Sequence, residues 1–565
     1  MSAPGSAGRS RLALSLVAAI AALGGASSAY ASVWVGGVSS DYNNAANWNS
    51  SPAAPSGNME IKGAGITPVI TATPTWSTVD IIVGGGASGR LDQTAGTLST
   101  GTGNWFLLGF QNVTATYNLA NTASTGGTYT GFGRGSGSLN VAGNWLVALD
   151  SGTTSNVNIN TTGTVSVGGG VFLGSTGATN TNFNLDSGAV SVSGEFQVGG
   201  TFYGQGAGTN VLNMSGGSIS ADVFTIARGS NNAAVMTSTV NLTGGSINAG
   251  RYFTLGFAGS ATNTATVNNN GGTVNVNTAN GGGNLEMAVY DPTTNTFNQN
   301  SGNVNLQNNA NILYGSGGNH SGTSTFNQNG GNVTFYSDAG TTVGGTGIIR
   351  LGQGGDTGTY VYNLNGGVLT TNGVEKTAAA GSGTFNFNGG TLKAGSASAT
   401  FMTGLTAAVV KSGGAVIDSN GFSITIGQAL TDGGGDGGLT KLGAGTLTLT
   451  GANTFTGDIM IGGGTLSINS AFINDAADVS MVTGSVFDLN FVGQDTIASL
   501  LINGAPQAIG TYGGVGSGAN FELPSFTGTG LLNVTVSAIP EPSAFALLAG
   551  CVGLGMVGMR RRRSV

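Results

Sequence analysis

His320 is the one histidine and Cys551 the one cysteine of this 565-residue chain, which bounds the nucleophilic chemistry it could carry. A Ser-His-Asp or Cys-His arrangement would have to pass through His320, and a multi-His or multi-Cys metal centre lacks ligands. His320 stands in the glycine-rich run GGNHSG with no acid beside it, which reads as an exposed turn residue. The remaining candidates for acid–base work are carboxylates. Asp150, Asp186, Asp222, Asp291, Asp338, Asp356 and Asp418 stand singly, mostly in contexts such as LDSG, YDPT and SDAG. There an Asp side chain bonds its own backbone. Glycoside cleavage needs two carboxyls flanking one bond, and the sequence shows no such grouping. Asp432 and Asp436 in TDGGGDGG come nearest, with a loose likeness to calcium-binding glycine–aspartate repeats. The GGG runs at 84–86, 168–170 and 281–283 lack the strand-to-helix setting and the following lysine of a phosphate loop. No catalytic, cofactor-binding or metal-binding residue is therefore assigned.

Any such residue would have to be positioned by a scaffold made of what the chain has most of. It contains 105 glycines and only 7% charged residues, so its surface must be Asn, Thr, Ser and Gly. Glycine costs about 1 kcal/mol relative to alanine inside a helix, and Ser, Thr and Asn compete there for backbone hydrogen bonds, which excludes a helical architecture. With 10 prolines and no Gly-X-Y period, a collagen-like chain is excluded too. Between the two terminal segments lie 10 basic and 22 acidic residues. An acidic body without a basic stripe excludes nucleic acid as a partner.

The middle of the chain repeats. NLDSGAVSV, NMSGGSIS, NLTGGSINAG, NNNGGTVNVN, FNQNSGNVNL, FNQNGGNVTF, NLNGGVLTT and FNFNGGTLKAG align on a glycine at Gly188, Gly217, Gly245, Gly272, Gly302, Gly331, Gly367 and Gly390. Their spacing centres on about 28 residues, the mark of a solenoid. A second signature alternates with the first: NWFLLGF, NWLVALD, GVFLGS, EFQVGG, VFTIARG, YFTLGF, NLEMAVYD, NILYGS and IIRLGQ. Each unit thus holds two or three strands too short to bury a face alone, so neighbouring copies must stack. A flat antiparallel array is one way to do so. A right-handed parallel β-helix is the other, and it alone places like residues above one another, at about 4.8 Å per coil. That geometry predicts Phe297 against Phe326 and Asn298 against Asn327, with glycines at the corners taking positive φ.

Both ends read as address labels. Arg9 and Arg11 precede the apolar stretch LALSLVAAIAALGG and small residues at Ala29 and Ala31, the layout of a secretory signal peptide cut after Ala31. At the other end, Pro540-Glu541-Pro542 precedes an uncharged segment from Ala544 to Met559 and the cluster Arg560, Arg561, Arg562 and Arg563. These parts, in this order, resemble the PEP-CTERM sorting signal of exported bacterial proteins. The resemblance implies an exosortase-type sorting enzyme as partner, transient anchoring in the inner membrane, and then the outer surface or extracellular matrix of a Gram-negative-type bacterium. Cys551 falls within the apolar segment and is given no catalytic role.

A further resemblance lies in GLTKLGAGTLTLTGANTFTGDIMIGGGTLSIN. Lys441, Gly443, Gly445, Thr446, Leu447, Gly451, Asn453, Gly464, Thr465 and Leu466 resemble the autotransporter-associated β-strand repeat, also called the passenger-associated transport repeat. It implies β-solenoid coils of an exported passenger. Near the start, Trp34, Asn47, Trp48 and Pro55 resemble the N-terminal segment of surface proteins with such repeats, and we read this stretch as a cap.

The expected organisation is a signal peptide at 1–31, a cap at 32–75, 28-residue solenoid repeats at 76–399, an autotransporter-associated repeat region at 400–470, a β-rich solenoid end at 471–537 and a sorting signal at 538–565. The function expected is a non-catalytic, cofactor-free surface or matrix protein, its uncharged face turned to exopolysaccharide or a cell-surface glycan. A polysaccharide lyase or hydrolase on the same fold, and a passive spacer, are the alternatives.

Overall fold

The computed structural model describes residues 31–36, 38–49, 57–63, 65–76, 79–121, 132–200, 205–229, 235–257, 263–290, 292–317, 320–353, 355–377 and 381–536. The sorting motif, Cys551, Pro55, Asp291 and Ala29 lie outside the described residues. Two compact units are present, 1–385 with 404–406, and 386–403 with 407–565.

In the first unit the strands wind into a parallel β-solenoid. The coil containing Phe297 shows how. Thr293–Leu306 alternates buried and outward residues, turns at Gly302, and continues along a second face. Ile312–Tyr314 makes the third face. The first face pairs in register with the next coil, Phe297 opposite Phe326 and Asn298 opposite Asn327, and the second pairs Val304 with Val333. On the third, Ile312 pairs with Leu285 of the coil before. All of these pairings are parallel, as the coil reading requires and an antiparallel array forbids.

Stacking like on like builds the core. Rings of Phe297, Phe326, Tyr362 and Phe385 lie 4.6, 4.9 and 5.3 Å apart with planes within 8°, and Phe196, Phe224 and Phe253 stack at 5.2 Å within 2°. Such offset stacks add to the area these rings already bury. Two chain bends repeat from coil to coil among the described residues. The corner glycines at Gly188, Gly217, Gly245, Gly302, Gly331 and Gly367 take positive φ as expected, but Gly271 and Gly389 do so in place of Gly272 and Gly390. The second signature marks the other bend, just after the third face. Its left-handed residue is Gly109, Gly174, Gly199, Gly256 or Gly315, and Ala148, Ala227 or Ala288 in other coils.

The unit starts on a cluster of rings. Trp34 and Tyr42 meet Trp48 edge to face at 5.4 and 5.1 Å. Buried Asn47 ties the loop between them, accepting from the backbone N–H of Val38 and Ser39 and donating to Ser39 Oγ and the Asp41 carbonyl. Ala31–Val33 then pairs with Asn58–Ile61, which pairs with Ile81–Gly85.

The second unit uses the same parallel stacking with shorter coils. Bonds between neighbouring coils of the first unit span 26 to 30 residues at most levels. In the second they begin at 25 and 26 and shorten to 20 to 23. The period of about 28 does not carry through this unit. Its first coils still have three strands, as in Ala415–Asp418, Ile424–Ile426 and Leu430–Asp432; after Asp432 a coil keeps two, as in Thr446–Leu449 and Ile459–Ile461, and closes its third side with a turn. Further on, Gly510–Gly513 runs antiparallel to Leu531–Val534 in a four-stranded mixed sheet, whose crossing strands end the repetition.

Candidate functional site

Outward side chains of the first unit are sorted by face. Along the first face, consecutive coils read Thr237-x-Thr239-x-Asn241, Thr264-x-Thr266-x-Asn268, Thr294-x-Thr296-x-Asn298 and Thr323-x-Thr325-x-Asn327, in direct register. Flanking coils vary the theme without introducing a charge, from Thr114-x-Thr116-x-Asn118 to Thr359-x-Val361-x-Asn363. The second face is likewise Ser, Thr and Asn, for example Ser220, Asn248, Asn275 and Asn305.

Charges gather on and beside the third face. Arg350 pairs with Glu375 at 2.7 Å, Arg228 with Glu195 at 2.5 Å, and Arg251 with Asp222 at 2.5 Å. Arg251 holds the Asp222 carboxyl below the usual range. Glu286 sits on the same face, where burial lifts its carboxyl to about 7 against the opposing hydroxyls of Ser316 and Thr254. Ile82, Trp105, Leu107, Leu146 and Phe172 form an apolar cluster on its earlier coils.

The asparagines of the first face form one hydrogen-bonded column. Asn363, Asn327, Asn298, Asn268, Asn241, Asn213, Asn184 and Asn158 each donate from Nδ2 to Oδ1 of the asparagine one coil earlier, ending at Asn118, at 2.6–2.9 Å. Asn118 donates to Asp92, whose two oxygens also accept from Arg90. A carboxylate can only accept, so it terminates a column in which every amide points the same way. Shorter columns join Asn305, Asn275 and Asn248, and Asn365, Asn329, Asn300 and Asn270.

Shallow cavities of about 300 Å³ occur at two places on these faces. One crosses neighbouring coils of the second face and is lined by Thr100, Asn140, Ala142, Ser166, Ser191 and Ser193. The other lies near the first coils, between Trp34, Ile66, Pro68, Arg90, Thr114 and Thr116. Its cations are neutralised, Lys62 by Glu60 at 2.8 Å and Arg90 by Asp92.

His320 departs from the expectation of an exposed turn. It is fully buried, with Nε2 3.1 Å from Thr293 Oγ1 and Nδ1 3.2 Å from the Tyr360 hydroxyl, and its ring stacks on Tyr360 at 5.6 Å. Thr293 in turn accepts from Asn295, which also donates to Ser324. Asp356 is buried beside Tyr360, and desolvation followed by this carboxylate pushes the phenol pKa up. The physical reason is the tight bend after the third face, which leaves the adjoining core positions small and polar, so an imidazole there finds partners. With every member buried, this network fixes a corner and offers no open face to a substrate.

The other single acids behave as turn residues. Asp338 accepts from the backbone of Gly340, Thr341 and Thr342 and from the Thr341 hydroxyl, which holds its carboxyl well below the usual range. Asp432 accepts from Gly434 and Asp418 from Asn420. Among the described residues, no three His, Cys, Asp or Glu side chains converge as a metal site would need.

The repeat-motif residues come together in the second unit, and their geometry explains their types. Lys441 occupies an inward level between Ile417 and Ile461 and is buried. Its Nζ reaches Ser419 Oγ and the carbonyls of Leu442, Gly443 and Gly463 at 2.8–3.0 Å, drawing three coils together. Burial lowers its pKa to about 8. Thr446 and Leu447 sit in register with Thr465 and Leu466, and both leucines are fully buried. Asn453 Oδ1 accepts from the Leu430 N–H at 2.9 Å, supplying the coil-to-coil bond that the strandless third side would lose. A methyl on Gly451 would lie 2.7 Å from the Gln428 carbonyl, and one on Gly445 would strike the Phe422 carbonyl. Gly443 and Gly464 adopt φ of 77° and 61°.

Residues 439–468 match the passenger-associated transport repeat. Over 105 residues the chain is 42% identical to the adhesin BmaC autotransporter of Brucella suis biovar 1 (strain 1330), a match covering 18% of this chain. The chain spans about 3% of the length of that curated relative. No solved structure matches it.

Proposed function

We propose that this chain is an exported, non-catalytic surface protein of the adhesion type, which meets neutral polysaccharide or a neighbouring cell through an uncharged face. The carrying observation is the sorting of charge. Two faces of the first unit expose hydroxyls, amides and a few aliphatic groups, with one neutralised pair, Arg90 and Asp92, at the start of the first, while the acids of the third are paired or buried and turn acids such as Asp338 are occupied by backbone. An adhesin among its relatives, although matched over a small part, supports the same reading. Its glycan contact is the second-face cavity, where small side chains at Ser166 and Ser191 leave room beside Asn140 for one extended chain. Concave sites of this kind are where ligands bury most surface.

Delivery in this proposal relies on the tail. Pro540-Glu541-Pro542 and Arg560 to Arg563 direct an exosortase-type enzyme to hold the protein briefly in the inner membrane and process it near Pro540. The purified protein, passed over immobilised neutral and acidic polysaccharides, should be retained by a neutral one and cleave none. Reproducible cleavage abolished by changing one acid would replace the proposal with an enzyme, and no retention anywhere would reduce the body to a spacer. Mass spectrometry of the surface-exposed protein should find a C-terminus near Pro540, and an intact Arg563-Ser564-Val565 would refute the sorting step.

A further inference from the structure

The first face of the first unit carries three outward columns in register, where the second carries two. Along each strand its outward residues are two positions apart, about 6.7 Å, and between coils they repeat at about 4.8 Å. Thr237, Thr264, Thr294 and Thr323 form one column, and Thr239, Thr266, Thr296 and Thr325 a second. The asparagine column forms the third. The order is rigid for separate reasons. Threonine is β-branched, with few χ1 choices on a strand. Each amide is held by the one before it, leaving one N–H and one oxygen lone pair per Asn outward in a constant direction. Twist is small as well, because the rings of Phe297, Phe326 and Tyr362 directly beneath are within 8° of parallel from coil to coil. Side-chain ladders are what keep a many-stranded sheet flat.

What fits such a face must be uncharged, planar and periodic in two directions. A protein partner is recognised through buried aromatic and arginine anchors, and this face presents neither between Thr114 and Asn363. A single glycan chain is periodic in one direction and gains little burial on a flat surface. Both repeats of the face fall near the oxygen repeats on the prism faces of hexagonal ice. Threonine offers a hydroxyl and a methyl at each node, which suits ordered water at once as bonding partner and cage. We infer that this Thr-x-Thr-x-Asn lattice binds ice, a partner distinct from the glycan proposed for the second face.

The test uses the full exported chain with ice itself as the probe. In a slowly growing ice hemisphere the protein should be taken up rather than excluded, and in a nanolitre droplet it should separate the melting and freezing points of a seeded crystal. The double variant Thr266→Tyr, Thr296→Tyr puts bulk on outward positions that tolerate aromatic residues in a strand. It should keep the parent circular dichroism and melting midpoint and lose most of the uptake and of the freezing-point gap. Thr334→Tyr, on the second face, should lose neither. Exclusion of the parent protein from ice, or full uptake of the double variant, overturns the inference. Retention on polysaccharide is measured alongside, and its loss in the double variant with ice uptake intact would place the glycan, not ice, on this face.

Discussion

The two units stack parallel coils by different means. In the first, coils of 26 to 30 residues close three strands around stacked rings and bonded amides. In the second, coils that shorten from 26 to 20 residues enclose levels such as Ile424, Leu447 and Leu466, and a lysine serves as cross-tie. The difference follows from coil circumference. A longer coil leaves a core wide enough for rings and a flat side long enough for a Thr-x-Thr-x-Asn row. A shorter coil lacks such a row, sets its buried rings among aliphatic residues, as where Phe487 follows Leu466 in register, and satisfies corner carbonyls from within through the long stem and three donors of Lys441.

The largest expected effect breaks the ring stack. Phe297→Ala should cost about 3–5 kcal/mol, because the hole is bounded by Phe326 at 4.6 Å and cannot collapse without disturbing the next coil. Leu447→Ala, its counterpart in an aliphatic level, should cost about 2–4 kcal/mol, and chemical denaturation of the two variants compares the cores directly. Lys441→Met keeps the volume but strands the carbonyls of Leu442, Gly443 and Gly463, for a loss of about 2–3 kcal/mol read from the same transition. A neutral result would show that the short coils do not need the tie.

Smaller effects sharpen the contrast. Asn268→Ala removes one member of the amide column, leaving Asn298 Nδ2 and Asn241 Oδ1 to water, at a cost of about 1 kcal/mol. Glu286 should give the first unit a pH dependence. Its folded carboxyl titrates near 7 against an ordinary 4.5, so the folded state holds the proton more tightly between those values. The stability it contributes is complete below pH 4.5 and is lost as the pH rises through 7. Glu286→Gln should flatten that part of a midpoint-against-pH curve, and an unchanged curve would assign the slope to other groups.

Much of the stacking was legible because a parallel coil makes distant residues neighbours at a constant offset. The near-identity of TFNQNSGNVNL and TFNQNGGNVTF placed Phe297 on Phe326 and Asn298 beside Asn327 before any coordinates. The second signature was visible as a recurrence, yet its cause was not, since Ala148, Ala227 and Ala288 stand where a glycine would have announced a left-handed bend. His320 misled for a related reason. Glycines around it describe its backbone, while its burial depends on Thr293 and Tyr360, which are 27 and 40 residues away. The shorter coils of the second unit were hidden because none of the aligned glycines lies beyond Gly390.

By itself the sequence determined that this is an exclusively β repeat of stacked like residues, since strand alternation and corner glycines act over a few positions. It also carried the passenger-associated repeat, whose glycines and Lys441 are dictated by contacts within neighbouring coils. Only the tertiary structure decided which side of a coil each outward residue occupies. That depends on the summed lengths of strands and corners through a whole turn, so a change of one residue at any corner would move a side chain to another face. The gathering of charge on the third face, the charge-free Thr and Asn lattice on the first and the inward turn of His320 are consequences of that sum, which no local pattern records.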